Sequence, residues 1–130
     1  MTRLYSVFLA LAIIVSMPTT ALAASRLSVE AEARAVTVSF FSAINDRRYD
    51  QACRLLSKAY YKKYRIPSRR HCVAGLRIGF MWSQAMTFRI TDIKADRNRA
   101  VVSATADGAP GRVVLVRERG SFKVLALEST

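Results

Sequence analysis

The sequence is poor in the side chains that most catalytic and metal centres use. It has one histidine, two cysteines and nine acidic residues among 130 positions. The histidine, His71, stands beside a cysteine, but zinc needs four ligands and no fourth soft ligand is evident. We therefore expect no metal ion and no other cofactor.

Three kinds of sequence regularity are also missing. There is no Gly-x-y period, no heptad run and no long uninterrupted apolar stretch, which excludes collagen, a coiled coil and a polytopic membrane protein. What is present is a composition of 52% hydrophobic and 23% charged residues, typical of a packed globular chain. The length suits one domain. The unusual number is the formal net charge of +12, which limits the partners but not the fold.

The first 23 residues have the pattern of a secretory signal peptide. Arg3 is followed by an apolar run from Leu4 to Met17 and then by Ala21-Leu22-Ala23. A short basic start, an apolar core and an A-x-A end are typical of a cleaved leader. We predict cleavage after Ala23, a single domain over residues 24–130 and a secreted or extracytoplasmic location. The run is too short for a stable transmembrane anchor.

The two cysteines, Cys53 and Cys72, would then lie in an oxidising compartment, where disulfides persist. Only one intramolecular pairing is possible, so we predict a Cys53–Cys72 disulfide. In the chain-entropy description, a loop of this size stabilises a fold by about 3 kcal/mol.

The first half of the domain predicts three helices. Ser28 is a suitable N-cap for a helix that ends near Asn45. A second helix is predicted from Tyr49 to about Tyr64, because Pro67 disfavours helix in the residue before it. Ser68 can cap a third helix that reaches Phe80.

The second half predicts four strands joined as a meander. Met86–Thr91 alternates apolar and polar residues, and three further strands are predicted at 100–106, 112–118 and 121–127, separated by turn residues. Helices followed by strands indicate the α+β class, with three helices on one face of a four-stranded antiparallel sheet.

Five pieces of this chain carry a resemblance to a known family. They are V-S-F-F-S-A-I-N-D (38–46), Y-D-Q-A-C-R-L-L-S (49–57), Cys72, R-A-V-V (99–102) and R-V-V-L-V-R-E-R-G-S-F-K-V-L (112–125). Their order and spacing are similar to small exported bacterial members of the nuclear transport factor 2-like (NTF2-like) superfamily, which includes SnoaL-like and ketosteroid isomerase-like proteins. The resemblance implies a cone, in which a curved sheet wraps around the long first helix and a pocket opens between them.

The resemblance implies several functions, from isomerases and polyketide cyclases to noncatalytic binding modules. The isomerases need a carboxylate base inside the pocket. The acidic residues here stand mostly at helix starts, turns and strand ends, and Asp92 comes nearest to an inward-facing strand position. We therefore predict no catalytic residue and favour a binding module, although the enzyme alternative stays open.

A pocket for a small hydrophobic ligand is the alternative function. Four aromatic residues could line it, or could simply pack in the core. They are Phe40, Tyr60, Trp82 and Phe88.

The strongest signal is a basic segment, residues 47–77, which holds ten basic residues and only one acidic residue, Asp50. Arg54, Lys58 and Lys62 are spaced by four and would share one helix face. The predicted basic patch consists of Arg47, Arg48, Arg54, Lys58, Lys62, Lys63, Arg69 and Arg70.

Such a patch attracts an anionic polymer, an anionic lipid or an acidic protein. It is also compatible with a merely solvated basic surface. No nucleic-acid-binding motif is present, so we expect no nucleic acid partner. Relatives in the family often dimerise through the sheet face, and the mixed outward residues leave a homodimer open.

Overall fold

The computed structural model describes the backbone of residues 19–130 and the side chains of residues 28–130. Most of the predicted signal peptide, residues 1–18, lies outside the described residues. Four helices come first: α1 (Thr19–Asn45), α2 (Tyr49–Arg54), α3 (Lys58–Lys63) and α4 (Arg69–Phe80). Four strands follow: β1 (Phe88–Ala95), β2 (Arg99–Ala106), β3 (Ala109–Glu118) and β4 (Ser121–Ser129). The predicted α+β class is confirmed.

Helix α1 lies against the sheet with one face buried. Ala33, Thr37, Phe40 and Ile44 are buried at spacings of three and four, which is the period of one helix face. The prediction that Ser28 caps this helix is wrong, because the helix begins at Thr19. The stretch before Ser28 is rich in alanine and leucine, which are strong helix formers, so the helix continues through that position.

The prediction of one continuous second helix is wrong, because the helix is interrupted between residues 54 and 58. Leu56 forms a parallel bridge with Val124 of β4. The Ser57 N–H donates to the Val124 carbonyl at 2.8 Å, and the Val124 N–H donates to the Leu55 carbonyl at 2.7 Å. The Ser57 hydroxyl then accepts from the Tyr60 N–H and caps α3. The tertiary pairing with a sheet edge therefore replaces a turn of helix.

The sheet is an antiparallel meander in the order β1-β2-β3-β4. Ala106 pairs with Ala109 and Glu118 pairs with Ser121, so both of the last two connections are two-residue turns. Asp107-Gly108 and Arg119-Gly120 have positive φ at both positions, as type I′ hairpin turns require. Strand β3 therefore begins at Ala109, earlier than predicted.

Strand β1 also differs from its prediction. It begins at Phe88, and a bulge between Ile90 and Asp92 shifts its register against β2. The half-buried residues are therefore Phe88 and Ile90 before the bulge and Ile93 and Ala95 after it, which leaves Asp92 exposed. Met86 precedes the strand, where its backbone N–H and carbonyl bond the Asn45 side chain at 2.9 and 3.0 Å.

Helix α4 is attached to the rest of the fold by a disulfide and by the packing of three half-buried apolar residues, Val73, Leu76 and Phe80, against the core. Ser68 caps it as predicted, its hydroxyl accepting from the His71 N–H. The predicted Cys53–Cys72 disulfide is present with a Cα–Cα distance of 6.1 Å, which joins α4 to α2. Cys72 is the only fully buried residue of α4. Over residues 19–130, no helix is both long and apolar enough to cross a bilayer.

One ion pair connects α1 to the β3–β4 hairpin. Both amino nitrogens of Arg117 lie 3.1 Å from the Glu32 carboxylate oxygens. Glu32 also accepts from the Phe122 N–H, and the Arg117 guanidinium lies 4.3 Å from the Phe122 ring centre. Arg117 further donates to the carbonyls of Arg97 and Gly120. Because the pair is part-buried and bidentate, it is a stronger contact than an exposed ion pair.

Candidate anion-binding groove

A groove of about 590 Å³ lies where the helical segment meets the β3–β4 hairpin. One wall comes from the chain between α2 and α4, and the other comes from the turn and first residues of β4. We call it the cationic groove. It is lined by Cys53, Arg54, Leu56, Lys58, Tyr61, Ile66, Pro67, Ser68, Arg69, Glu118, Arg119, Ser121 and Lys123.

The two walls are tied together by hydrogen bonds on either side of the interrupted helix. The Lys58 N–H donates to the Glu118 carboxylate at 3.0 Å. The Lys123 ammonium donates to the Arg54 carbonyl, also at 3.0 Å. Because these bonds flank the Leu56–Val124 bridge, they hold the hairpin cations at a fixed place beside the helical ones.

Five cationic side chains and one carboxylate line this groove. Arg54, Lys58 and Arg69 belong to the predicted basic patch, whereas Arg119 and Lys123 come from the strand half. The basic patch predicted from the sequence does not include these last two residues. The R-E-R-G-S-F-K run indicated a hairpin, but only the tertiary pairing of residues 55–57 with β4 shows which surface the hairpin joins.

The rest of the predicted basic patch is dispersed. Lys62 and Lys63 are exposed in the last turn of α3. Arg48 pairs with Asp46 at 3.0 Å. Since the second helix is interrupted, Arg54 and Lys58 do not share a continuous helix face. Arg54 instead pairs with Asp50, one turn earlier in α2, at 3.0 Å.

Two more cations of the basic patch line separate hollows. Arg70 lies with Arg69 and Arg77 along a shallow hollow between α2 and α4. Arg47 lines a hollow of about 570 Å³ under the end of α4, together with Trp82. The basic segment thus presents cations on several surfaces. Among these surfaces, the cationic groove combines cations of the basic segment with cations of the β3–β4 hairpin.

Tyr61 supplies a hydroxyl at the floor of the groove. It donates to the Cys53 carbonyl at 2.9 Å. Burial raises the pKa of Tyr61, and the nearby Arg69 opposes this only in part. Burial, and then the neighbouring Tyr64, likewise raise the pKa of Tyr60. Both phenols therefore stay protonated at neutral pH, where they act as hydrogen-bond donors and not as anionic nucleophiles.

The four aromatic residues predicted to line a pocket do not surround one cavity. Phe40 is 1% exposed in the core, whereas Trp82 is 90% exposed. Tyr60 packs against Tyr64 with ring centres 4.6 Å apart. Phe88 stacks on Phe41 at 4.2 Å.

Phe41 and Phe88 border a smaller hollow of about 250 Å³ at the end of the sheet. Its lining is mostly apolar, and the Arg112–Glu128 ion pair, at 3.1 Å, lies at its side. Gly111 is required here, because a Cβ at this position would stand 2.9 Å from the Glu128 carbonyl oxygen. The hollow joins one predicted pocket residue, Phe88, to one that was not predicted, Phe41.

Among the residues whose side chains are described, two polar side chains are buried, Thr37 and Ser57, and both have structural roles. Thr37 donates to the Ala33 carbonyl at 2.8 Å, and Ser57 caps α3. His71 is exposed, with its Nδ1 2.7 Å from the Ser68 hydroxyl. Within the described part of the chain, no three His, Cys, Asp or Glu side chains cluster as metal ligands.

Comparison with known proteins adds no assignment. No model of a known protein family matches the chain, and no curated protein matches it. The cationic groove therefore has to be interpreted from its own chemistry.

Proposed function

We propose that this protein is an exported, noncatalytic binding module of the NTF2-like type, which binds an anionic partner in the cationic groove. The observation that carries this proposal is the convergence of five cationic side chains and one carboxylate from two parts of the fold. The basic segment, taken alone, is compatible with a solvated surface. A walled groove that adds cations from a distant hairpin favours recognition instead.

The groove offers both charge and hydrogen-bond donors. Ser68 and Ser121 place hydroxyls among the cations, whereas the Tyr61 hydroxyl already donates to the Cys53 carbonyl. Phosphate, sulfate and carboxylate groups need this combination, since cations supply attraction and directional donors supply orientation. The groove is open to solvent along its length, which suits a chain-like polyanion or a surface better than a small enclosed molecule.

Export and family membership are supported by separate observations. A disulfide is typical of an oxidising compartment, and the leader-like sequence precedes it. The order of elements, with a long helix against a sheet whose last hairpin places Phe122 in the core, is the order that the NTF2-like resemblance implies.

A small-ligand pocket remains the second candidate, because the Phe41–Phe88 hollow is apolar and open. Its volume of about 250 Å³ lies just below the usual range for ligand pockets, which starts at roughly 300 Å³. The core of the fold is filled by large side chains, of which Phe40, Phe122 and Leu115 are fully buried. The cationic groove is therefore the better-supported site.

The test is binding of inorganic polyphosphate, a soluble polyanion, by calorimetry over a series of salt concentrations. The double variant Lys58→Gln/Arg119→Gln removes two groove cations for which no ion pair is seen among the described residues. The matched control, Arg89→Gln/Lys94→Gln, removes two exposed cations from β1, at the opposite edge of the sheet. Both variants have the same net charge.

We expect the groove variant to lose about ten-fold or more in affinity for polyphosphate, and the control variant to lose much less. The reason is that salt screens the attraction between a cation and an anion that are farther apart than a Debye length, which is about 10 Å. Affinity should also fall steeply as salt is added. Equal losses in the two variants would show that only net charge matters. Salt-independent binding, or no binding, would refute the proposal.

A further inference from the structure

The end of α4 carries an exposed apolar cluster. Ile78 is 71% exposed, Trp82 is 90% exposed and Met81 is 44% exposed. We call these three residues the α4 tip. Ile78 lies in the last turn of α4, and Met81 and Trp82 directly follow its last residue, Phe80, so the three exposed side chains belong to the same end of the helix. A contiguous exposed cluster of large apolar side chains marks an interaction site more often than a single exposed residue does.

The tip is held in place although its side chains are exposed. The segment that follows it is anchored at Met86 by the two hydrogen bonds to Asn45. At its start, the disulfide fixes α4 to α2. The cluster is therefore presented by a fixed element and does not hang from a free end.

The surroundings of the tip are cationic. Arg77 lies one turn before Met81, and Arg47 lines the same hollow as Trp82. No acidic residue occurs in the sequence between Asp50 and Asp92, and the one carboxylate that lines the hollow beside Arg77 belongs to Asp50, which pairs with Arg54. Apolar side chains with Trp among them, beside arginines on an amphipathic helix, are the combination that binds the interface of an anionic bilayer.

We infer that the α4 tip inserts into the headgroup region of an anionic lipid bilayer, while Arg77 and Arg47 contact lipid phosphates. The charge pattern disfavours a second copy of the chain as the occupant, because self-association would bring like charges together. With three residues, the tip is also far smaller than the roughly 20–30 residues per partner of a stable protein interface. A bilayer needs only a few inserted side chains.

The tip and the cationic groove are different surfaces with no residue in common, so each can fail alone. Binding of soluble polyphosphate tests the groove. Membrane insertion is tested at Trp82, which is the only tryptophan of the chain. Its fluorescence therefore reports the tip specifically, and any membrane affinity of residues 1–23 gives no signal of its own, since that segment has no tryptophan.

The experiment adds vesicles of equal parts phosphatidylglycerol and phosphatidylcholine to the full chain. We expect Trp82 emission to move to shorter wavelength and its quenching by iodide to fall. Pure phosphatidylcholine vesicles should cause a much smaller change, and added salt should reduce the effect. Ile78→Ser/Met81→Ser keeps the fluorophore and should weaken the partitioning reported by Trp82 by about ten-fold, because inserted apolar area sets the affinity. Arg77→Gln should weaken it about five-fold.

The matched control is Val38→Ser, at an exposed apolar residue of α1, which should leave the emission change intact. An unchanged emission spectrum with anionic vesicles would overturn the inference. So would an equal change in the Ile78→Ser/Met81→Ser variant. An emission shift that appears without vesicles as protein concentration rises would assign the tip to self-association instead.

Discussion

The sheet and the basic segment are stabilised in different ways. The sheet is joined by three antiparallel ladders, two of which contain a register shift, and with α1 it encloses the largest fully buried side chains. By contrast, α3 has no buried residue and α4 has one, Cys72. The basic segment is attached by a disulfide, an edge bridge, a few hydrogen bonds and the buried side chains of α2 and Leu56.

This difference explains how the fold tolerates many positive charges in one segment. All ten cations of the basic segment are exposed, outside the core, where solvent screens them. The sheet and α1 act as a scaffold, and the basic segment presents charge on it. Substitutions that affect the scaffold and the segment should therefore have separable effects on stability and on binding.

The largest expected effect is loss of the disulfide. Cys53→Ser/Cys72→Ser should lower the free energy of unfolding by about 3 kcal/mol, because the unfolded chain gains loop entropy. Urea denaturation measures the change, and chemically reduced wild-type protein is the control. Native-state hydrogen exchange should show that amides of α4 lose more protection than amides of β2 and β3. Equal loss in both would mean that the scaffold and the basic segment unfold as one unit.

A smaller effect is expected at the ion pair within the scaffold. Glu32→Gln weakens the bidentate contact with Arg117 and should cost about 1–2 kcal/mol, since the pair is only partly buried. Glu30→Gln, two residues earlier on the exposed side of α1, is the matched control and should have almost no effect on the urea midpoint. Polyphosphate affinity should be unchanged in both variants. A binding loss for Glu32→Gln equal to that of the groove variant would contradict the separation.

The smallest effect concerns the β1–β2 turn and depends on pH. The backbone N–H groups of Asn98 and Arg99 donate to the Asp96 carboxylate and lower its pKa below the usual value. The stabilisation that these hydrogen bonds give the folded state is present at pH values above the pKa of Asp96 in the unfolded chain. It is lost as the pH falls through the lowered pKa of Asp96 in the folded state.

Asp96→Asn should therefore be slightly less stable than wild type near neutral pH, and the difference should shrink below about pH 4. Urea midpoints at several pH values measure it. Asp92→Asn, at an exposed position of β1, is the control and should leave the urea midpoint near neutral pH almost unchanged. A difference that grows on acidification would contradict the assigned direction.

Local patterns predicted most of the elements. Ser68 could be recognised as a cap because its role depends on the next three residues, and the Gly108 and Gly120 turns follow from local backbone needs. The disulfide followed from cysteine arithmetic and the leader-like sequence.

Several of the features that were missed depend on distant parts of the chain. The interruption at Leu56 exists because Val124 supplies backbone hydrogen bonds, and nothing within the local helical pattern reveals that partner. The shift of Asp92 to the exposed side results from a bulge against β2. Arg119 joins the cationic groove only after the hairpin meets that interruption, and Trp82 looks like a core residue until α4 is placed.

The most direct test of this division is a backbone-amide NMR titration of the full chain with inorganic polyphosphate. We predict shift changes in residues 54–69 and 119–123, with small changes in β1 and β2 and around the Phe41–Phe88 hollow. Changes concentrated in β1, β2 or that hollow, with the groove unaffected, would contradict the assignment of the basic segment and the β3–β4 hairpin as the binding surface.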